Sequence, residues 1–228
     1  MDTLSLIQQI RDHEPALIKI IFDFVFVPCS KDQEGKHKYI RAMPKPGTNN
    51  IYKDIIGKRR KKLKMLIIDK SVKIIPQSAF SNCLKLTHVT IGNSVKTIGM
   101  CAFVNCSKLP KVIISNAVET VGWGAFGKCL KLTNVTIGNS VKTICSHAFF
   151  GCSNMVHLTI SDSVKIIEYC AFYACSKLAH VTIPDSVKFI GECAFAKCSS
   201  LEKASIPSHL EEQVKRVFPE HTNVIVRQ

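Results

Sequence analysis

The sequence predicts an α/β repeat fold. Parallel strands build a solenoid, a helical cap covers its N-terminal end, and a short helix and strand close its C-terminal end. Three observations lead there. The dipeptide Ala-Phe recurs every 23 residues, at Ala79-Phe80, Ala102-Phe103, Ala125-Phe126, Ala148-Phe149, Ala171-Phe172 and Ala194-Phe195. A cysteine follows each at a fixed offset: Cys83, Cys106, Cys129, Cys152, Cys175 and Cys198. Further apolar columns keep the same register, among them Leu86, Leu109, Leu132, Met155, Leu178 and Leu201, and Ile91, Ile114, Ile137, Ile160, Ile183 and Ile206. A single 23-residue coil cannot bury its apolar face alone, but stacked coils bury a continuous core.

Each segment of the unit has its own reason. Leu86 to Ile91 ends in the period-2 alternation of a short strand, and neighbouring coils should pair such strands about 4.8 Å apart. The turn that follows reads Gly92-Asn93-Ser94 in one coil and Pro184-Asp185-Ser186 in another, residue types that tolerate tight turns or bond their own backbone. Val72, Val95, Val118, Val141, Val164 and Val187 form the next apolar column. The Ala-Phe segment is expected to make a short helical turn on the far side, with Phe filling the core and Ala allowing close approach.

Read from Leu86 to Cys106, the unit Leu-x-x-Val-x-Ile-x-x-Ser-Val-x-x-Ile-x-x-x-Ala-Phe-x-x-Cys resembles the BspA-type leucine-rich repeat. The resemblance covers residues 63–210 and implies a leucine-rich-repeat solenoid that serves as a binding scaffold, often at the surfaces of bacteria and protists. Met1-Asp2-Thr3-Leu4 has no basic n-region, so a cleaved signal peptide is not expected and the surface role does not transfer. An intracellular setting, cytoplasmic or nuclear, is expected instead.

Outside the array, residues 1–62 read as a helical and basic cap region. Leu4, Leu6, Ile7 and Ile10, then Leu17, Ile18, Ile20, Ile21, Phe24 and Val25, suit two short amphipathic helices broken near Pro15. The stretch Glu14 to Phe22 is similar to the helical start of an F-box. Residues 29–50 have a loop-like mix of Lys, Gly, Pro and Asn. At the other end, Leu201 to Leu210 starts a seventh strand without its Ala-Phe, and residues 211–228 read as the helix and strand of a terminal cap.

The 11 cysteines carry no export signal and argue for reduced thiols rather than a disulfide scaffold. Six form the column above. Cys101, Cys170 and Cys193 form a partial second one, shared with Ser78, Gly124 and His147. Small buried thiols packed beside Phe explain the first column better than zinc does. No Gly-rich phosphate loop, paired-carboxylate site or metalloprotease motif is present, which points to a non-enzymatic chain without cofactor or metal. No apolar run reaches the roughly 18 residues that cross a bilayer.

Charge also follows the repeat. The formal net charge is +14. Lysines stack at Lys73, Lys96, Lys142, Lys165 and Lys188, with Glu119 between, and at Lys62, Lys85, Lys108, Lys131 and Lys177. The run Lys58, Arg59, Arg60, Lys61, Lys62 and Lys64 is the densest basic patch. These features suit an acidic partner or nucleic acid, although the array itself lacks the Arg favoured for base and phosphate forks. Two surfaces are candidates for binding a protein partner. The strand face carries His88, Lys111, Asn134, His157, His180 and Lys203. An opposite aromatic edge carries Met100, Trp123, Phe150, Tyr169 and Tyr173. A protein-interaction scaffold using one of these surfaces is the first expectation, and a basic module docking nucleic acid or a nucleoprotein assembly is the second.

Overall fold

In the computed structural model, residues 24–28, 40–44 and 62–228 are described. The expected solenoid is present. Its strand face is built from β3 (Met65–Ile68), β5 (His88–Thr90), β7 (Lys111–Ile113), β9 (Asn134–Thr136), β11 (His157–Thr159), β13 (His180–Thr182), β15 (Lys203–Pro207) and β16 (Asn223–Arg227). A second sheet runs beside it in two-residue strands: β4 (Ile74–Ile75), β6 (Thr97–Ile98), β8 (Thr120–Val121), β10 (Thr143–Ile144), β12 (Ile166–Ile167) and β14 (Phe189–Ile190). All pairings in these two rows are parallel, and all but that of β15 with β16 keep the repeat register, as in Thr97↔Thr120 and Val112↔Val135.

The core is a set of identical stacks. Phe80, Phe103, Phe126, Phe149, Phe172 and Phe195 are buried, and each ring lies face to face with the next at 5.1–5.4 Å between centroids. Phe218 continues the stack at 5.2 Å from Phe195. The seventh coil therefore keeps its aromatic ring, with Val217 where the other coils have Ala. Such contacts add about 0.5–1.5 kcal/mol per pair beyond the burial of the rings.

The Ala-Phe segment is not a helical turn. Alternate N–H groups point along the solenoid: those of Ser78, Phe80 and Asn82 donate to the carbonyls of Met100, Ala102 and Val104 at 2.7–2.8 Å, while those of Ala79 and Ser81 bond back to Pro76 and Ser78. A helix would consume those donors internally and leave nothing for the next coil. Two left-handed residues per coil keep the donors aligned outward. Ser78, Cys101, Gly124, His147, Cys170 and Cys193 occupy one such column, with φ between 53° and 59°. Asn82, Asn105, Lys128, Gly151, Ala174 and Lys197 occupy the other. The helical content expected of an α/β class shrinks accordingly. Among the described residues it is a 3-10 turn at Ser208–Gln213 followed by α1 (Val214–Val217).

The helical N-terminal cap is likewise not what the described residues show. β1 (Phe24–Pro28) pairs antiparallel with β2 (Ile40–Pro44), and β2 pairs parallel with β3, so the strand sheet continues past the first repeat. Phe24 and Val25, expected at the end of a helix, belong to an aromatic and β-branched run that suits a strand. Ile40 to Pro44, expected in a loop, is also strand. The first amphipathic segment, the F-box-like stretch and Lys58 to Lys61 lie outside the described residues.

The strand face is interrupted twice. β5 and β7 are not paired, nor are β11 and β13, whereas the two-residue sheet runs unbroken through six coils. The first interruption has a residue-level cause. At the start of β5, β9, β11 and β15 an N–H reaches back one coil: Thr87 to Lys64 O, Thr133 to Pro110 O, Val156 to Thr133 O and Glu202 to Ala179 O, at 2.8–2.9 Å. Pro110 occupies this position ahead of β7 and has no N–H to donate. Nothing comparable explains the second interruption, where Ala179 retains its N–H. Val89 and Leu158, the core residues of β5 and β11, are correspondingly only half-buried.

Two measurements check this account. Phe149→Ala, in the middle of the ring stack, should destabilise the fold by about 3–5 kcal/mol in urea titration, and a loss below about 1 kcal/mol would show that the stack is not the core. Pro110→Thr should restore the missing donor and slow amide exchange at Val89; unchanged exchange would rule Pro110 out as the cause of the interruption.

Candidate interaction surfaces

The six-cysteine column is structural. The thiols of Cys106, Cys129, Cys152, Cys175 and Cys198 donate to the carbonyls of Phe80, Phe103, Phe126, Phe149 and Phe172, at 3.2–3.4 Å. Each of these five thus caps a carbonyl of the coil before it while filling space beside the ring stack. All ten described cysteines are free, and Cys29 lies outside the described residues. Burial pushes the Cys129 thiol up to about 12 and that of Cys152 well above its ordinary value. Burial and Glu168 raise Cys145 to about 11. Thiols held protonated are poor nucleophiles and poor metal ligands. Among the described residues no group of three or more His, Cys, Asp or Glu is placed to hold a metal ion.

The expected strand-face column is present but divided. Lys111, Asn134 and His157 are paired in register, as are His180 and Lys203, while His88 pairs with Met65. His157 and His180, neighbours in the repeat, lie on either side of the second interruption. Apart from half-buried Asn134, these side chains are exposed. Asn134 accepts from the Thr133 hydroxyl at 2.6 Å. In the adjacent column Ile113 replaces the usual threonine and is 55% exposed.

The aromatic edge is a contiguous cluster. Trp123 and Tyr169 are 47% and 49% exposed and stand two coils apart. His147 lies between them, its ring centroid 5.3 Å from that of Trp123 and 5.6 Å from that of Tyr169. Phe150 touches the same imidazole at 5.7 Å and stacks on Tyr173 at 5.5 Å, over which the Lys197 ammonium sits 5.5 Å from the ring centroid. A hydrogen bond with the Cys170 thiol raises the Tyr169 pKa. Met100 is exposed in the Trp123 column, one coil earlier. The structure therefore joins four of the five expected residues and adds His147, which sequence reasoning passed over. The available signal was size: His147 is the one large side chain in a left-handed column otherwise held by Ser, Cys and Gly. Its Nδ1 is buried without a hydrogen-bond partner.

The lysine ladders are exposed on the solenoid surface. Lys62, Lys64, Lys85, Lys108 and Lys131 all face solvent. Lys96 pairs with Glu119 at 2.8 Å, which holds the Glu119 carboxyl below its usual range. An exposed pair of this kind contributes little to stability.

A family model for the BspA type leucine rich repeat region matches in 6 copies, over residues 58–155 and 119–225. Among solved structures, the chain is similar to a leucine rich cell surface protein from Faecalibacterium prausnitzii A2-165, with a TM-score of 0.61 and 24% identity over 85% of this chain and 55% of that one. It is also similar to a leucine-rich repeat protein from Eubacterium ventriosum, with a TM-score of 0.52 and 24% identity over 60% of this chain and 43% of that one. This chain thus spans about half the length of either, and likeness at this identity shows the fold alone. No curated protein matches.

The raised thiols set a direction for pH. An unfolded cysteine ionises near 9.0, whereas folded Cys129 does so only at about 12. The unfolded state therefore releases protons first, and this contribution to stability is lost as pH climbs from 9.0 towards about 12. Urea midpoints between neutral and strongly alkaline pH should fall across that window, less steeply in Cys129→Ala. Parallel slopes for the two proteins would contradict the assignment.

Proposed function

Because the chain belongs to the BspA type leucine-rich repeat family, we propose that it is a non-catalytic scaffold that binds another protein, and that the aromatic edge makes the contact. The observation that carries this reading is the cluster of Trp123, His147, Phe150, Tyr169 and Tyr173, in ring contact from coil to coil while Trp123 and Tyr169 remain about half exposed. Aromatic side chains of this kind dominate binding energy at protein interfaces, and the rigid coil spacing fixes them before a partner arrives. The repeat columns are occupied in holding the coils together, and burial raises the Cys129, Cys152 and Cys175 thiols, which supports a role without covalent chemistry. The ten described cysteines, all free, also favour a reducing compartment.

The test is a comparative affinity purification from the native cell. Wild-type protein should retain a specific partner that Trp123→Ala/Tyr169→Ala loses, with affinity reduced about tenfold or more. Lys203→Ala, on the strand face, should retain it. An identical partner set for wild type and the aromatic double variant would sink the aromatic edge.

A further inference from the structure

The two interruptions of the strand face each leave a groove, and the grooves differ in charge. The second is lined by Asp162, Asp185 and Arg227, with Arg227 tied to the Asp185 carboxylate at 2.6 Å. The first runs along the strand face from Met65 to Ser161 across the break at Pro110, and among the described residues no carboxylate lines it. Its lining includes half-buried Val89 and exposed Ile113. Lys111 and His88 also line it. At the strand-entry end the chain brings in further cations. Lys64 immediately precedes Met65, and Lys85 and Lys108 stand two residues before Thr87 and Pro110, all of which line the groove. Neither Lys64, Lys85, Lys108 nor Lys111 forms a salt bridge with a described carboxylate.

We propose that this first groove binds an acidic peptide segment carrying a bulky apolar anchor. The acidic residues lie along Lys64, Lys85, Lys108 and Lys111, and the anchor sits on Val89 and Ile113. Charge complementarity selects the segment: a carboxylate-rich chain meets lysines that no described carboxylate pairs, whereas the second groove already holds its own acids. The anchor matters because burying Ile113 removes apolar surface from water that the repeat's usual threonine would not expose. Lysine without arginine suits carboxylate point charges and gives up the planar forks favoured for nucleic acid. The site is separate from the aromatic edge and does not rest on it.

The test is fluorescence anisotropy with the full chain. The probes are a labelled run of glutamates ending in phenylalanine, its glutamine counterpart, and a mixed-sequence single-stranded DNA. The glutamate peptide should bind at low salt and weaken as salt rises. Lys111→Glu and Ile113→Ser, both at exposed positions, should each weaken it about tenfold or more. Lys203→Glu, the same charge change elsewhere in the column, should stay within about twofold. Circular dichroism of each variant confirms that it is folded. The proposal is overturned if the glutamine peptide binds equally well, if Lys203→Glu is as damaging as Lys111→Glu, if DNA binds more tightly than the peptide, or if nothing binds at low salt.

Discussion

Every coil must place each residue on its own copy at the separation of hydrogen-bonded strands. That constraint governs the rest of the molecule. Phenylalanine meets it because flat rings can lie over one another at 5.1–5.4 Å without leaving a void. Cysteine meets it by a different route, since its thiol both fills a narrow space and donates to the carbonyl of the coil before. The left-handed residues follow from the same demand. Ten non-glycine residues accept an unfavoured backbone region because only that path turns the donors of the Ala-Phe segment towards the next coil.

The same constraint divides the side chains by task. Residues facing inward are chosen by their copies, so they can say little about a partner. Those facing outward are free to differ, and the differences gather in a few places. The aromatic edge arises where Trp123, His147 and Tyr169 replace small or polar residues of other coils. The basic groove arises where Pro110 removes a donor and Ile113 replaces a threonine. In both, the departure from the repeat marks the surface with distinctive chemistry.

This explains what the sequence could reveal. The strand face, the core columns and the array were legible because each residue appears several times at one period. The aromatic edge was legible as a column, but its centre at His147 was not, because a residue that breaks a pattern looks like noise until neighbouring rings are seen around it. The two-residue strands of the second sheet are too short to show alternation, and they are fixed by stacking rather than by local preference. The Ala-Phe segment looked helical because its spacing hides which way the donors point. Phe218 was missed as a repeat residue because Val217 took the place of Ala. The N-terminal strands β1 and β2 lie outside the period, and composition alone misassigned them.

The C-terminal coil ends the second sheet by an unusual device. The N–H of Ile190, in the last of the two-residue strands, donates to the side-chain oxygen of Gln213 at 3.0 Å. A side-chain amide stands where another coil would offer backbone, so the row is closed chemically. Growth of the array by copying is therefore directional. A unit duplicated upstream of Gln213 lengthens the solenoid and keeps its terminator, while one appended beyond it meets a row whose final donor is already occupied. Copy number can drift in the interior while the end stays fixed.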